Sequence, residues 1–304
     1  SPSVPPLRRI VSGDYFSASD SGWPAVRSIV RILNNMPATV PPTELDRTRT
    51  ATGTQSLSRA VHLLRTLSTH TPTGWRLSDL AMETRLDHAT VHRLLAGLVD
   101  ERLAARVAGT RRYTLGPLAY ELGVAASPYY ALDRLAAPAL ARLATSTRDI
   151  VFLNVRSGFD SVCIARHDGH PALKAYTVDV GTRRPLCLSA GGVAMLVRLP
   201  RSEQARIEIN NLEAIAGRDA ARQHAMCRMV RRSRRAGYGI NLGDFVPHIA
   251  AIGVALCTPG GSPVASISLA GLEAGLKEPR RSALLARLSE AATTLEPMIG
   301  QLRY

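Results

Sequence analysis

Arg93 stands in the run Thr90-Val91-His92-Arg93-Leu94-Leu95 of a 304-residue chain. Its guanidinium is a planar fork of donors that can grip a guanine edge or a phosphate with two bonds at once. Asp87, His88, Ala89, Thr90 and His92 lie on or near the outward N-terminal face of the same predicted helix. Thr90 and the first backbone amides of that helix suit phosphate oxygens. His88 and His92, four residues apart, have the spacing of metal ligands, but no third ligand stands near them, so no metal is expected. Arg106, Arg111 and Arg112 surround Gly109, where they would meet a DNA backbone or minor groove. A different chemistry is available at Ser189-Ala190-Gly191-Gly192. Backbone amides at a helix start favour an anion, and glycine, without a Cβ, lets a ligand come close.

Catalytic patterns are missing. Leu188-Ser189-Ala190-Gly191-Gly192 lacks the first glycine of a nucleophile elbow, and Gly237-Tyr238-Gly239-Ile240-Asn241-Leu242-Gly243 misses the dinucleotide-binding spacing. No His/Asp/Glu cluster has metal spacing. The four cysteines, Cys163, Cys187, Cys227 and Cys257, are far apart. They are expected to be small buried side chains in a reducing cytoplasm, and neither a zinc ribbon nor a disulfide framework. No enzyme activity and no cofactor are expected.

Charge points the same way as Arg93. The chain has 38 Lys and Arg against 24 Asp and Glu, net +14, which favours a polyanionic partner, nucleic acid first. Only Lys174 and Lys277 are lysines. Such an arginine bias also follows from base composition, so charge alone does not decide. No apolar run is long enough to span a bilayer, no signal-peptide core opens the sequence, and no membrane partner is expected.

The elements that must position these residues are legible in the periodicity. Residues 1–52 hold seven prolines and are expected to be a disordered extension, dispensable for folding and DNA binding, with one amphipathic island at Val26, Ile29, Val30 and Leu33. From residue 54, Leu57, Ala60, Val61, Leu64 and Leu67 form a helical stripe ended by Pro72 and Gly74. Leu77–Ala81 begins a second helix with Ser78 as its expected N-cap. A tight turn at Leu86 and Asp87 leads to the third, with Val91, Leu94, Leu95 and Leu98 inward. This is a helix-turn-helix, and the hairpin 103–115 that follows is its wing. Residues 53–116 form this domain, and a linker helix occupies 117–130. Residues 131–304 then alternate strands (150–155, 161–166, 172–178, 252–257, 264–269) with helices (131–147, 190–199, 202–215, 219–236, 279–301). Such an order is α+β, without βαβ repeats. The arginines at 228, 231, 232, 234 and 235 are expected to be a solvated helix face.

These segments together resemble the IclR family of bacterial transcription regulators. The resemblance rests on Ser56–Leu64, Leu77–Ala81, Thr90–Leu95, Arg112–Gly116, Gly181–Gly192, Arg235–Tyr238 and Gly243–Val246, in the family's order, and covers residues 54–304. It implies a winged helix-turn-helix joined by a linker helix to a GAF-like antiparallel-sheet effector domain, and homodimers or homotetramers. It further implies a pseudo-palindromic double-stranded DNA operator whose affinity a small-molecule effector modulates through the linker. The DNA contacts carried over are Ser78, His88, Ala89, Thr90, His92, Arg93, Arg106, Arg111 and Arg112. The effector contacts are Ser189, Ala190, Gly191, Gly192, Asn241, Ile249, Ala251, Ser268 and Ala270. Asp87 stands where the family usually has proline, Cys187 where it often has histidine, and Val193 where it often has lysine. With Ala251 and Ala270 opposite the amides, the implied effector has one carboxylate or carbonyl end and an apolar body. Gly191→Leu is then expected to abolish the effector response selectively. The alternatives are a regulator whose C-terminal domain is tight core without a ligand, and, further off, an enzyme using that pocket.

Overall fold

A computed structural model describes residues 52–69, 73–127, 131–169, 178–215 and 220–299. The Pro-rich extension with its Val26–Leu33 island, the predicted strand at 172–178 for all but its last residue, Pro72 and Pro128 lie outside them. The chain divides into two compact units.

In the first unit, α1 (Thr52–Leu67), α2 (Leu77–Thr84) and α3 (His88–Asp100) pack around Leu63, Leu67, Leu80, Val91, Leu95 and Leu98. Two local expectations change. The buried edge of α1 runs through Leu63 and Leu67, and Leu57 is 64% exposed, so the core-facing stripe is rotated from the predicted one. Ser78 does not cap α2. Arg76 holds the N-cap position without a side-chain bond, and the Ser78 hydroxyl donates to the neighbouring Asp79 at 3.3 Å. Asp87, in contrast, caps α3: its carboxylate accepts from the Thr90 amide at 2.8 Å. That bond holds the Asp87 carboxyl below the usual carboxylate range.

The wing is β2 (Ala104–Arg106) and β3 (Arg112–Leu115), antiparallel, with Gly109 at φ +69° in its turn. A two-residue strand, β1 (Trp75–Arg76), pairs with the outer side of β3. This third strand was too short to leave a period in the sequence. Helix α4 (Pro117–Ala126) follows with Pro117 in its first turn.

The second unit begins with α5 (Leu132–Thr147) and is built on a six-stranded sheet. Its strands are β4 (Ile150–Ser157), β5 (Asp160–Asp168), β6 (Arg183–Pro185), β7 (Gly239–Leu242), β8 (Ile249–Cys257) and β9 (Pro263–Leu272). Their order is β6-β5-β4-β9-β8-β7. Strands β6 and β7 are not among the strands expected from the sequence: three and four residues are too few to show alternation. Val151, Leu153, Ile252, Ile267 and Leu269 alternate toward the face covered by α5 and α9 (Arg280–Ile299). The opposite face carries α6 (Ala190–Leu196), with α7 (Arg201–Ile215) and α8 (Ala220–Ala236) beyond it.

Candidate functional site

Helix α3 separates its two faces cleanly. Val91, Leu95 and Leu98 are buried, while His88, Ala89, His92 and Arg93 are exposed along the other side and Thr90 lies half-buried beside them. The exposed row begins at the helix start, where amides and dipole favour phosphate. The Asp87 cap fixes that start but places a carboxylate beside it.

The wing arginines do different jobs. Arg111 is exposed and, among the described residues, bonds to nothing in the chain. Arg106 donates from Nε to the Thr110 carbonyl at 3.0 Å, which bends it over the turn. Arg112 donates to the Gly74 carbonyl at 2.9 Å and so ties the wing to the segment before α2. Arg111→Ala should therefore lower the slope of log K against log salt by about one unit for any duplex sequence. Arg112→Ala should also lower the melting temperature, because it frees the Gly74 carbonyl.

The effector candidates share one face of the sheet, as the register shows. Asn241 pairs with Ala251, Ala251 with Ala270, and Ala270 with Ile150, which makes one row across four strands. The adjacent row is Gly239, Gly253, Ser268 and Phe152. Ile249 pairs with Leu272 two residues beyond Ala251. Ser268 and Ala270 are buried; Asn241, Ile249 and Ala251 are half-buried.

Ser189–Gly192 reach this face differently from the sequence expectation. The Ser189 hydroxyl accepts from the Gly192 amide at 3.0 Å and caps α6. A Cβ on Gly191 would stand 2.8 Å from both Asn154 Nδ2 and Ser266 Oγ, and one on Gly192 would run into the Leu186 carbonyl. Gly239 and Gly253, paired across β7 and β8, let the Ala190 carbonyl lie directly on the strands. The glycines thus serve backbone-to-sheet packing, with the Asn154 and Ser266 side chains against the α carbon of Gly191. The signal was present as glycines inside strand patterns, which mark close backbone approach. Asn241 is also engaged: its Oδ1 accepts from the Asp244 amide at 2.9 Å.

The arginine run on α8 is no uniform solvated face. Arg232 pairs with Asp244 and donates to the Ile240 carbonyl at 2.9 Å, tying α8 to β7 and the loop after it. Arg234 pairs with Glu208, whose side chain is 6% exposed, and with Gln204 at 3.0 Å. Burial pushes the Glu208 carboxyl up and Arg234 partly offsets it. Burial also pushes the Cys187 thiol far up, and Cys163 and Cys257 are buried too, while Cys227 is half-buried. Among the described residues no group of three or more His, Cys, Asp or Glu could hold a metal, and no helix is long and apolar enough to cross a membrane.

Two family models match this chain in the order the fold displays. The IclR helix-turn-helix domain covers residues 56–108, and the bacterial transcriptional regulator IclR C-terminal domain covers 129–296. The chain belongs to the IclR family of bacterial transcriptional regulators. As an IclR-family protein it carries a DNA-binding helix-turn-helix followed by the family's sheet domain. It is 27% identical to the HTH-type transcriptional regulator KipR of Bacillus subtilis over 74% of this chain and 89% of KipR. It is 25% identical to the regulator BhcR of Paracoccus denitrificans over 80% and 86%. Its fold is similar to that of an IclR-family regulator from Brucella abortus (TM-score 0.65, 22% identity, 86% of this chain and 99% of that one). A second fold match is an IclR homologue from Microbacterium hydrocarbonoxydans, solved in complex with 4-hydroxybenzoate (TM-score 0.58, 22% identity, 80% and 98%).

Proposed function

We propose that this IclR-family regulator binds a pseudo-palindromic operator as a dimer, with α3 in the major groove, and that a small-molecule effector lying on the α6 face of the sheet changes that affinity. The exposed row His88, Ala89, His92 and Arg93 over a buried Val91–Leu95–Leu98 ridge carries the reading. Arg93 makes a base or phosphate contact, Thr90 and the first amides hold phosphate, and Arg111 meets the backbone. Genome-wide binding-site mapping supplies the operator, and gel-shift titration then tests Arg93→Ala. The expected cost on the specific site is about 1–3 kcal/mol. An unchanged affinity overturns the assignment of Arg93.

Dimerisation draws on uncovered apolar surface. Leu57 and Val61 of α1 are exposed at 64% and 37%, and Tyr120, Leu122 and Val124 of α4 at 76%, 56% and 54%. Helix α4 buries no residue at all within the chain. These exposed apolar side chains are the surface we assign to the dimer contact.

The effector belongs on the row of Asn241, Ala251 and Ala270, with Ile249 and Ser268 at its margins. The site we assign is the apolar step at the small side chains of Ala251, half-buried, and Ala270, buried, with the Ser268 hydroxyl beside it. The related protein solved with 4-hydroxybenzoate supports an aromatic carboxylate as the first compound to try. Ala251→Trp should fill the step, leaving operator binding intact and removing the effector response. A melting-temperature shift with 4-hydroxybenzoate that persists in the variant would move the site elsewhere.

A further inference from the structure

We infer that the C-terminal domain carries a second contact surface for duplex DNA, the arginine stripe Arg228, Arg231 and Arg235 on α8. The distribution of charge is the first observation. Residues 131–304 hold 23 Lys and Arg against 14 Asp and Glu, so +9 of the chain's +14 lies outside the winged helix. Helix α8 alone contributes six arginines, at 222, 228, 231, 232, 234 and 235, and no acid.

The division of labour along the helix is the second. Arg232 and Arg234 turn inward to the nearly buried carboxylates of Asp244 and Glu208, which anchors the helix. Arg231 and Arg235 are exposed, and among the described residues neither has a carboxylate within ion-pair reach. Arg228, its side chain 54% exposed, has only Asp244 at 3.9 Å, and that carboxylate already serves Arg232. The three spacings, i, i+3 and i+7, put these guanidiniums on one side of the helix. They span about 10 Å along it, at 1.5 Å per residue. That matches about three rises of 3.4 Å along the duplex axis, each of which brings one further phosphate on each strand.

Solvated like charges so closely spaced repel one another, and a polyanion relieves the repulsion while releasing its own counterions. Duplex DNA is the polyanion this protein already binds, so it is present at high local concentration whenever the reader is engaged. The contact is to phosphates, carries no sequence information, and adds to the operator affinity of long DNA.

The test uses the whole 304-residue chain and a long mixed-sequence duplex, with filter binding measured across a salt series. The triple variant Arg228→Gln/Arg231→Gln/Arg235→Gln should fold normally, since its targets are exposed, and a melting curve checks this. Its slope of log K against log salt should fall by about two to three units. A control triple, Arg134→Gln/Arg142→Gln/Arg287→Gln, removes the same charge from exposed positions on α5 and α9 and should leave the slope near wild type. An unchanged slope in the α8 variant overturns the proposal and leaves the stripe to an acidic protein or to water. An equal fall in both triples also overturns it, because net charge and not this surface would be responsible.

Discussion

Arg234→Ala should destabilise the C-terminal domain by about 3–5 kcal/mol, because it strands a buried carboxylate. Glu208 is 6% exposed on its side chain and Arg234 is its ion-pair partner. The pair sits beside the turn Leu186–Leu188, where Cys187 donates its amide to Asn211 Oδ1 at 2.9 Å. The loss should depend on pH with a defined sign. Burial already raises the Glu208 pKa above 4.5 in the native protein, and losing Arg234 raises it further. A carboxyl whose folded pKa is raised contributes stability below its unfolded pKa and loses it as pH climbs through the folded value. The melting temperature of the variant should therefore fall from pH 5 toward pH 8, more steeply than that of the wild type. Adding Glu208→Gln should flatten this dependence and recover part of the loss. A pH-independent loss would mean that the carboxylate finds another partner.

Gly191→Leu is expected to cost about 3 kcal/mol or more, toward and beyond the upper end for overpacked cores. The sequence alone predicts otherwise: open space beside a helix start, filled by the new side chain, with the effector response lost and operator binding kept. In the structure even the first carbon of that side chain meets Asn154 and Ser266 at 2.8 Å. A whole leucine there has to displace Asn154 and Ser266 and push against the sheet under α6, whose Ala190, Val193 and Leu196 are all buried. Melting temperature and operator affinity measured on the same protein separate the outcomes. A stable variant that has lost only its effector response would restore the ligand to Gly191 and remove it from the Ala251 step.

Much of the architecture was legible without coordinates because the governing forces are local. The apolar spacing of Val91, Leu95 and Leu98 sets which side of α3 is buried, and therefore which side holds Arg93. The carboxylate of Asp87 suits the helix start that follows it, and in the fold it caps the Thr90 amide. Gly109 between two extended runs places the wing turn, where φ is +69°. Pro117 marks a helix start. These depend on residues within a turn or two of one another, and sequence spacing reports them directly.

What only the tertiary structure decided are pairings between distant residues of ambiguous type. Helical propensity could not tell that α1 buries Leu63 and leaves Leu57 out, because the orientation is set by what α2 and α3 press against it. Five arginines in eight residues look alike as a sequence. Asp244 and Glu208 sort them, and those partners come from a loop and from another helix. Gly191 is compatible with a ligand or with a neighbour's side chain, and the neighbours that fill the space lie on β4 and β9, 37 and 75 residues away. The sequence determined a helix-turn-helix whose third helix has one buried and one exposed face, and a sheet domain after it in the chain. Long-range packing decided which of the polar and small residues in that domain are covered and which stay exposed, because burial by a distant segment leaves no period in the chain.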